Sequence, residues 1–307
     1  TLEVDSQSGA IGCNENLALR EGGLDLLPVE GLDPSRGPAK KMNAPNINAA
    51  LATAEKVSRK VGLFLKRQLR SHKRINQQTA HDIKLELDER SQRMIERDLR
   101  KAFPEIAILG EEGTVGDTGA EWRWVVDPID GTVNFSRGLP HACVCIALQR
   151  RLPASNGHWD DYLTELGVVY DPFLDEMWTA KSGGKARLNG RVIRVSETDN
   201  LESSVVSIGF AKSKSTLKRN LPLFARLYQR VLKVRLMGSA ALALTWTAAG
   251  RLDAYRENGI NLWDIAAGGL ILECAGGEFW RRPLRGKYTY ELIASNGRLR
   301  KRIERLI

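Results

Sequence analysis

The sequence predicts a mixed fold in which an α+β half, residues 43–195, precedes an α/β half, residues 196–307. In the first half, short strand-like apolar runs are separated by Gly-Gly and Asn-Gly turns. In the second half, strand-like and helix-like runs alternate. Hydrophobic residues make up 42% of the 307 residues, which is ordinary for a globular protein with a substantial core.

Residues 1–42 differ in composition from the rest and are predicted to form a poorly ordered extension. They are rich in Gly, Asp, Glu, Asn and Pro and show no sustained spacing of apolar residues. They also lack the apolar core of a signal peptide. We therefore expect the folded body to begin near Met42.

Two helices are predicted at the start of the first half, over residues 47–69 and 89–102, the second ending before Pro104. Between them, the basic segment 66–74 is interpreted as a solvated helix end and loop. The short apolar run 124–126 predicts a buried strand. Five further strand-like runs are residues 106–109, 142–148, 166–170, 176–180 and 191–195.

The second half is predicted to alternate strands with helices. Strands are expected over residues 205–210, 233–237 and 253–256. Helices are expected over residues 217–231, 240–249 and 263–274. The last helix is followed by Gly276-Gly277, a residue pair typical of a helix end.

An acidic turn directly follows the predicted strand 124–126 and carries Asp127 and Asp130. A proline fixes the backbone between them and Gly131 allows a tight exit, so both carboxylates can point toward one place. The carbonyl of Ile129 is available between them. Because hard oxygen ligands are what Mg²⁺ or Ca²⁺ requires, the turn predicts a divalent-cation site, with an ordinary Asp-Pro turn as the alternative.

Three further carboxylates extend this pattern. Glu111 and Glu112 are adjacent in a Gly-bounded loop, where a cation would relieve their repulsion and a solvated turn is the alternative. Asp264 lies in the first turn of the last predicted helix, where the helix dipole favours an acid, although the acid is free to face outward. Five acids together would repel a phosphate unless divalent ions reversed the local potential.

These motifs resemble the inositol monophosphatase family of metal-dependent phosphatases. The matches are Gly110-Glu111-Glu112, Asp127-Pro128-Ile129-Asp130-Gly131-Thr132 with Asn134-Phe135, and Trp263-Asp264-Ile265-Ala266-Ala267-Gly268 with Gly276-Gly277. They occur in the family's order, over roughly residues 47–296. The resemblance implies a layered αβαβα sandwich of the inositol monophosphatase/fructose-1,6-bisphosphatase type. It also implies a homodimer that hydrolyses phosphate monoesters with two or three Mg²⁺ per site.

The resemblance implies a ligand set for the metal ions. Glu111, Asp127 and the Ile129 carbonyl would bind the first ion, and Asp127, Asp130 and Asp264 would bind the second. Glu111 would also reach a third, loosely held ion. The chemistry expected of such a site is two-metal hydrolysis, in which the ions activate water and stabilise the leaving oxygen.

The resemblance also implies catalytic and substrate-binding residues. Thr132 and Glu111 would orient and deprotonate the attacking water, Asp88 would bond to the Thr132 hydroxyl, and Glu112 would support the ligands from behind. The N–H groups of Gly131 and Thr132 would hold phosphate oxygens. The substrate contacts implied are Asp130, Gly131, Thr132, Gly238, Ser239, Ala240 and Glu257.

The loop before Asp88 departs from the family pattern. Many family members carry a lysine there, whereas ungapped counting back from Asp88 reaches Gln77, with Lys73 the nearest earlier lysine. Occupancy of the third metal site and sensitivity to lithium are therefore left open.

Inositol monophosphate is the expected substrate, because Glu257 matches a family glutamate that bonds inositol hydroxyls. Glu257 would also suit the ammonium of histidinol phosphate. The basic residues of segment 212–219 are either a solvated surface or a site for a second phosphate, as in fructose 1,6-bisphosphate or a 3′,5′-bisphosphate nucleotide. A catalytically silent binding protein is the non-enzymatic alternative, which the retention of all expected carboxylates disfavours.

Composition bounds the partners and the compartment. The net charge is +9, but the basic residues are scattered and no nucleic-acid-binding module accompanies them, so we expect no nucleic-acid partner. No apolar run approaches the length of a membrane span. The four cysteines, Cys13, Cys143, Cys145 and Cys274, are not at metal-ligand spacing. Reduced core thiols and a cytoplasmic location are therefore predicted.

Overall fold

Two β-sheets with helices on their faces dominate the part of the chain that the computed structural model describes, residues 43–78, 83–152, 160–209 and 214–306. The helices are α1 (Ile47–Gln68), α2 (Glu86–Ala102), α3 (Thr132–Ser136), α4 (Lys214–Tyr228), α5 (Ala240–Ala248), α6 (Leu262–Cys274) and α7 (Arg300–Glu304). Among these helices, none has both the length and the apolar character needed to cross a membrane. The predicted extension, residues 1–42, lies outside the described residues.

The larger sheet has eight strands, in the order β10-β9-β8-β7-β6-β5-β3-β4. Its strands are β3 (Ala107–Gly110), β4 (Gly113–Val115), β5 (Trp122–Asp130), β6 (Cys143–Arg151), β7 (Tyr162–Asp171), β8 (Glu176–Lys181), β9 (Arg187–Leu188) and β10 (Arg191–Val192). Neighbouring strands are antiparallel except for β3 and β5, which are parallel. A separate two-stranded sheet, β1 (Ile75–Gln78) and β2 (Ile83–Leu85), precedes α2.

The second sheet has five strands, in the order β12-β11-β13-β15-β14. They are β11 (Val205–Ile208), β12 (Lys233–Arg235), β13 (Ala254–Asn261), β14 (Glu278–Pro283) and β15 (Thr289–Ser295). Strand β11 pairs in parallel with β12 and β13, and the remaining pairs are antiparallel. The second sheet is therefore mixed.

Alternate residues of β5 face two different helix layers, as the period of a strand requires. Trp124 and Val126 lie in a core shared with α1 and α2, whereas Val125 lies in a core shared with α5 and α6. That second core also contains Tyr255 and Leu292 of the five-stranded sheet, whose other face packs against α4 and α7. This order of layers confirms the αβαβα sandwich that the resemblance implied.

The chain changes from the first sheet to the second between Val192 and Val205, and the predicted boundary near residue 195 lies in this segment. Contacts within Met42–Ile307 nevertheless make it one compact unit. The assignment of two halves therefore stays a prediction.

Several predicted element boundaries differ from the structure, and six strands were not predicted: β1, β2, β4, β9, β14 and β15. Helix α2 begins at Glu86 rather than 89, which places Asp88 in its first turn. Strand β13 continues to Asn261, so Glu257 lies inside a strand and not after one. Strand β10 ends at Val192 rather than 195. Strands β14 and β15 were not predicted, because the partly exposed β14 sequence Glu-Phe-Trp-Arg-Arg-Pro lacks regular apolar alternation.

Candidate active site

Three carboxylates from two distant parts of the chain converge at one point. Asp127 and Asp130 lie at the end of β5, and Asp264 lies in the first turn of α6. One ligand oxygen from each of the three lies within 4.8 Å of the others. The fold therefore brings together acids that are more than a hundred residues apart in the sequence.

The shape of the acidic turn comes from an irregularity in the pairing of β5 with β6. Asp127 lies opposite Cys145 and Asp130 opposite Cys143, so three residues of β5 span two residues of β6. The Ile129 N–H donates to Asp127 Oδ1 at 2.9 Å and fixes the turn. Gly131 has a φ of 95°, and a Cβ there would lie 2.9 Å from the carbonyl oxygen of His141, so glycine is required.

Burial and mutual repulsion raise the pKa of the Asp127 carboxyl well above its usual range. Burial is the largest cause, followed by the charges of Glu111, Asp264 and Asp130. Such an arrangement is costly without a cation. The donor set consists of carboxylate oxygens and the nearby Ile129 carbonyl, which is the all-oxygen chemistry that Mg²⁺ prefers.

Asp130 is bound by the N-terminus of α5. Ser239 Oγ donates to Asp130 Oδ2 at 2.5 Å, and the backbone N–H groups of Ala240 and Ala241 donate to this carboxylate at 3.2 and 2.8 Å. Burial still raises the pKa of Asp130, although these hydrogen bonds oppose the shift. Ser239 and Ala240, predicted as substrate contacts, therefore also position a candidate metal ligand.

Asn134 ties α3 to the segment before α5. Its Nδ2 donates to the carbonyl oxygens of His141 at 3.0 Å and Met237 at 2.9 Å. Gly238 has a φ of 73°, and a Cβ there would lie 3.1 Å from Asn134 Nδ2. Asn134 is part of the motif after Asp130, but its role could not be predicted from sequence, since its partners lie up to 103 residues away.

The loop that carries Glu111 and Glu112 is held by Gln92 of α2. Gln92 Oε1 accepts from the Glu112 N–H at 2.8 Å, and its Nε2 donates to the Gly113 carbonyl at 3.1 Å. A Cβ on Gly110 would lie 2.3 Å from Gln92 Oε1, so this contact requires glycine. Gln92 was not among the predicted site residues; the available sequence signal was a polar residue on the buried face of an amphipathic helix.

Glu111 stands outside the group of three oxygens within 4.8 Å, but it is the largest charge acting on the Asp127 carboxyl. It is half-buried, and its N–H donates to the Val126 carbonyl at 3.1 Å. The structure thus places Glu111 close enough to Asp127 to act on its charge, and the role of the two residues as shared ligands stays a prediction.

The structure shows a hydrogen bond for each of Thr132 and Asp88, and the bond between them stays a prediction. The Thr132 hydroxyl has one hydrogen to donate, and it donates this hydrogen to the Ile129 carbonyl at 2.8 Å. Asp88 is 2% exposed, and its Oδ2 accepts from the Leu85 N–H at 2.6 Å. Asp88 thereby closes the first turn of α2.

Glu257 projects from β13 and is bonded by Tyr255, whose hydroxyl donates to Glu257 Oε2. The pKa of Tyr255 is raised well above its usual range, first by burial and then by the charges of Glu257, Asp130 and Asp264. The contribution of the two aspartates places this part of β13 near the acidic cluster. A Cβ on Gly209 would lie 1.8 Å from Glu257 Oε2, so the glycine gives the carboxylate its space.

The lysine that the sequence offered for the loop ion has other partners. Lys73 Nζ donates to the Leu69 carbonyl at 2.5 Å and lies 5.0 Å from the centroid of the Phe135 ring. The side chain of Gln77 lies outside the described residues. So do residues 210–213 and several side chains of the basic segment 212–219, the candidate site for a second phosphate.

The described cysteines are free thiols. Cys143 and Cys145 are buried in β6, and burial raises the pKa of the Cys143 thiol to about 11. Cys274 donates to the Lys181 carbonyl at 3.3 Å. A buried thiol with so high a pKa is a poor nucleophile, which agrees with a site built on carboxylates.

The layered sandwich and the all-oxygen acidic cluster are together typical of the metal-dependent phosphatases. The chain belongs to the inositol monophosphatase family, whose model matches residues 46–303.

Curated relatives and solved structures agree with this assignment. The chain is 34% identical over 277 residues to "Nus factor SuhB" of Xylella fastidiosa, covering 87% of this chain and 95% of that protein. It is 37% identical over 234 residues to "Inositol-1-monophosphatase" of Synechocystis sp., covering 74% and 77% of the two chains.

Two solved structures show the same fold. An extragenic suppressor protein suhB from Bartonella henselae superposes with a TM-score of 0.75 at 30% identity, covering 84% of this chain and 98% of that one. A Thermotoga maritima IMPase gives a TM-score of 0.71 at 35% identity, covering 84% and 96%.

Proposed function

We propose that the protein is a Mg²⁺-dependent phosphate monoester hydrolase that converts myo-inositol monophosphate and water into inositol and phosphate. The observation that carries the proposal is the convergence of Asp127, Asp130 and Asp264 within 4.8 Å, beside Glu111. Family membership supports a phosphatase, and the Synechocystis relative is named as an inositol-1-monophosphatase. The donor chemistry supports Mg²⁺ in preference to softer metals.

Two or three Mg²⁺ ions are proposed for the site. Glu111, Asp127 and the Ile129 carbonyl would hold the first, and Asp127, Asp130 and Asp264 the second. When bound, Mg²⁺ supplies Lewis acidity that lowers the pKa of water and stabilises charge on the leaving oxygen. Ser239 supports this assignment, because its bond to Asp130 Oδ2 orients the carboxylate.

Groups of the chain itself would guide the attacking water. The Thr132 hydroxyl and the Glu111 carboxylate orient the water, and Glu111 accepts its proton as the oxygen attacks phosphorus. The Thr132 hydroxyl exchanges its present bond to Ile129 for one to Asp88, which then positions it. The N–H groups of Gly131 and Thr132 hold the phosphate oxygens, and Glu112 braces the loop through Gln92.

Glu257 would recognise the alcohol part of the substrate. A carboxylate accepts hydrogen bonds from hydroxyl groups, and the Tyr255 hydroxyl fixes the orientation of this one. Gly238, Ser239 and Ala240 would line the facing side. Histidinol phosphate remains the alternative that the same carboxylate suits, and bisphosphates are the alternative for the segment 212–219.

A homodimer and a cytoplasmic location complete the proposal, with no nucleic-acid partner. The resemblance supports the dimer, and free thiols at Cys143, Cys145 and Cys274 support a reducing compartment.

A non-catalytic binding role is the second candidate function. It is motivated by relatives named "Nus factor SuhB", a name that mentions no hydrolysis. Against it stands the retention of every expected carboxylate, since such acids are costly to hold together without a cation.

Phosphate release separates these functions. The purified protein is incubated with inositol, histidinol, sugar and nucleotide phosphates, with Mg²⁺ and with a chelator. We expect Mg²⁺-dependent release that is fastest for inositol monophosphate. A folded protein that releases phosphate from none of them would support the binding role, and faster release from another ester would reassign the substrate.

A further inference from the structure

Two thiols lie directly behind the acidic cluster. Cys143 and Cys145 are two residues apart on β6, so their side chains share one face of the strand. Their Sγ atoms are 3.7 Å apart, and Cys143 Sγ lies 3.6 Å from Asp130 Oδ2. Ligand atoms of Asp130, Cys143 and Cys145 all lie within 4.8 Å of one another. The fold thus places a carboxylate next to a pair of cysteine thiols.

The pairing of strands creates this cluster. Asp130 lies opposite Cys143 because the irregularity in β5 shifts the register by one residue. Cys-x-Cys alone is not metal-ligand spacing, so no metal was expected at the cysteines. That expectation considered ligands from one segment, whereas the third donor comes from the neighbouring strand.

The separations fit the edges of a tetrahedral zinc site. With Zn–S bonds of about 2.3 Å, two sulfurs in a tetrahedron are about 3.8 Å apart. With a Zn–O bond of about 2.0 Å, a sulfur and an oxygen are about 3.5 Å apart. The Cys143–Cys145 and Cys143–Asp130 separations are 3.7 and 3.6 Å. Both of these edges match, and the third edge, from Cys145 to Asp130, is within 4.8 Å.

We propose that Asp130, Cys143 and Cys145 form a thiolate-containing site for Zn²⁺, distinct from the all-oxygen site for Mg²⁺. Two sulfurs select against Mg²⁺ and favour Zn²⁺. The ion displaces the two thiol protons to solvent and forms two Zn–S bonds and one Zn–O bond. Ser239 Oγ donates to Asp130 Oδ2 at 2.5 Å and holds this carboxylate beside the thiols.

Asp130 belongs to both groups of ligands, and this gives the site a consequence. A dication bound on the thiol side of Asp130 repels the ion shared with Asp127 and Asp264 and withdraws charge from the carboxylate that would hold it. Zn²⁺ at the thiols therefore opposes Mg²⁺ at the second metal position. This consequence for phosphate release rests on the proposed function, whereas Zn²⁺ binding itself does not.

The test uses Co²⁺ as a spectroscopic probe for Zn²⁺. The full chain with Cys13→Ser and Cys274→Ser retains only the thiol pair, and it is titrated with Co²⁺ to equilibrium. We expect a thiolate-to-cobalt charge-transfer band and the visible bands of tetrahedral cobalt, saturating at about one ion per chain. Added Zn²⁺ should abolish these bands. A folded protein without a charge-transfer band would overturn the proposal.

Variants then identify the ligands. Adding Cys145→Ala to the same background should weaken Co²⁺ binding by at least about tenfold. Changes to residues that only support a metal ligand already cost that much, and Cys145 is proposed as a ligand itself. Adding Cys143→Ala should do the same, so that one misfolded variant would not decide the result. Wild-type protein and the Cys274→Ser variant should bind alike. Equal Co²⁺ binding with and without the thiol pair would reject the site.

The outcome is separable from that of the proposed function. Mg²⁺-dependent turnover without a cobalt–thiolate band rejects only the zinc site. A cobalt–thiolate band without turnover rejects only the phosphatase function.

Discussion

Replacing Asp127 by asparagine should stabilise the metal-free protein while abolishing its activity. The asparagine Oδ1 can still accept the hydrogen bond from the Ile129 N–H, so the turn keeps its geometry. What the substitution removes is a buried charge whose pKa is raised by burial and by Glu111, Asp264 and Asp130. A group that is costly without a cation thus becomes neutral.

The size of the effect follows from the distances. Two charges within 4.8 Å repel by about 3.5 kcal/mol or more at an effective dielectric of about 20. Protonation of Asp127 limits this penalty. Keeping a carboxyl protonated at pH 7 costs about 1.4 kcal/mol for each pH unit above its ordinary pKa, which is about 4 kcal/mol in all. After loss of one charge-assisted hydrogen bond, a net gain of about 1–3 kcal/mol remains. Each kcal/mol raises the melting temperature by about 2–4 °C.

The assay is thermal unfolding in a chelator, across pH. Because the folded-state pKa of Asp127 is raised, its penalty is absent below about pH 4 and grows as the pH rises. The gain from Asp127→Asn should therefore be larger at pH 7.5 than at pH 5. Saturating Mg²⁺ should favour the wild type instead, since binding stabilises only a site that retains its ligands.

Asp253→Asn is the matched control. Asp253 is also buried, but it accepts hydrogen bonds from Ser196 Oγ and the Val205 N–H, so neutralising it should destabilise the protein with or without Mg²⁺. A metal-free Asp127→Asn protein that melts below the wild type at pH 7.5 would refute the reasoning about repulsion.

Four further substitutions test the site. Asp130→Asn and Asp264→Asn should each keep the circular dichroism spectrum and lose most phosphate release, and wild-type turnover in either would contradict the ligand assignment. Glu257→Gln should lower kcat/KM for inositol monophosphate about ten- to a hundredfold, through loss of about 1–3 kcal/mol; a larger effect of neutralising the lysines of segment 212–214 would indicate a bisphosphate substrate. Gly209→Ala, whose Cβ would lie 1.8 Å from Glu257 Oε2, should lower kcat/KM similarly while leaving Mg²⁺-induced stabilisation intact, and unchanged kinetics would contradict the role of Glu257.

The parts of the site that sequence could predict are those fixed by local geometry. The spacing of Asp127 and Asp130 around a proline, and the position of Asp264 in a helix first turn, require no knowledge of distant contacts. The layer order also followed, because the family resemblance supplied it and the structure confirmed it.

The supporting contacts could not be predicted, because they join residues far apart in sequence. Ser239 reaches Asp130 across 109 residues, and Asn134 reaches Met237 across 103. Gln92 holds the Glu112 loop across 20 residues. Each depends on how α2, α3 and α5 pack against the sheet. No local pattern of residue types encodes such packing.

The thiol cluster shows the same limit of prediction from sequence. The sequence correctly predicts that Cys143 and Cys145 are buried free thiols. Only the strand register reveals that Asp130 lies opposite Cys143. The irregularity in β5 that shapes the acidic turn therefore also sets the neighbourhood of the thiols.

The Mg²⁺ dependence of phosphate release from inositol monophosphate tests the central claim most directly. Wild type and Asp127→Asn are measured side by side, first in a chelator and then with increasing Mg²⁺. The acidic cluster predicts no release from either protein in the chelator, saturable restoration by Mg²⁺ in the wild type, and none in the variant. Equal release from wild type and variant, or release by the wild type in the chelator, would contradict it.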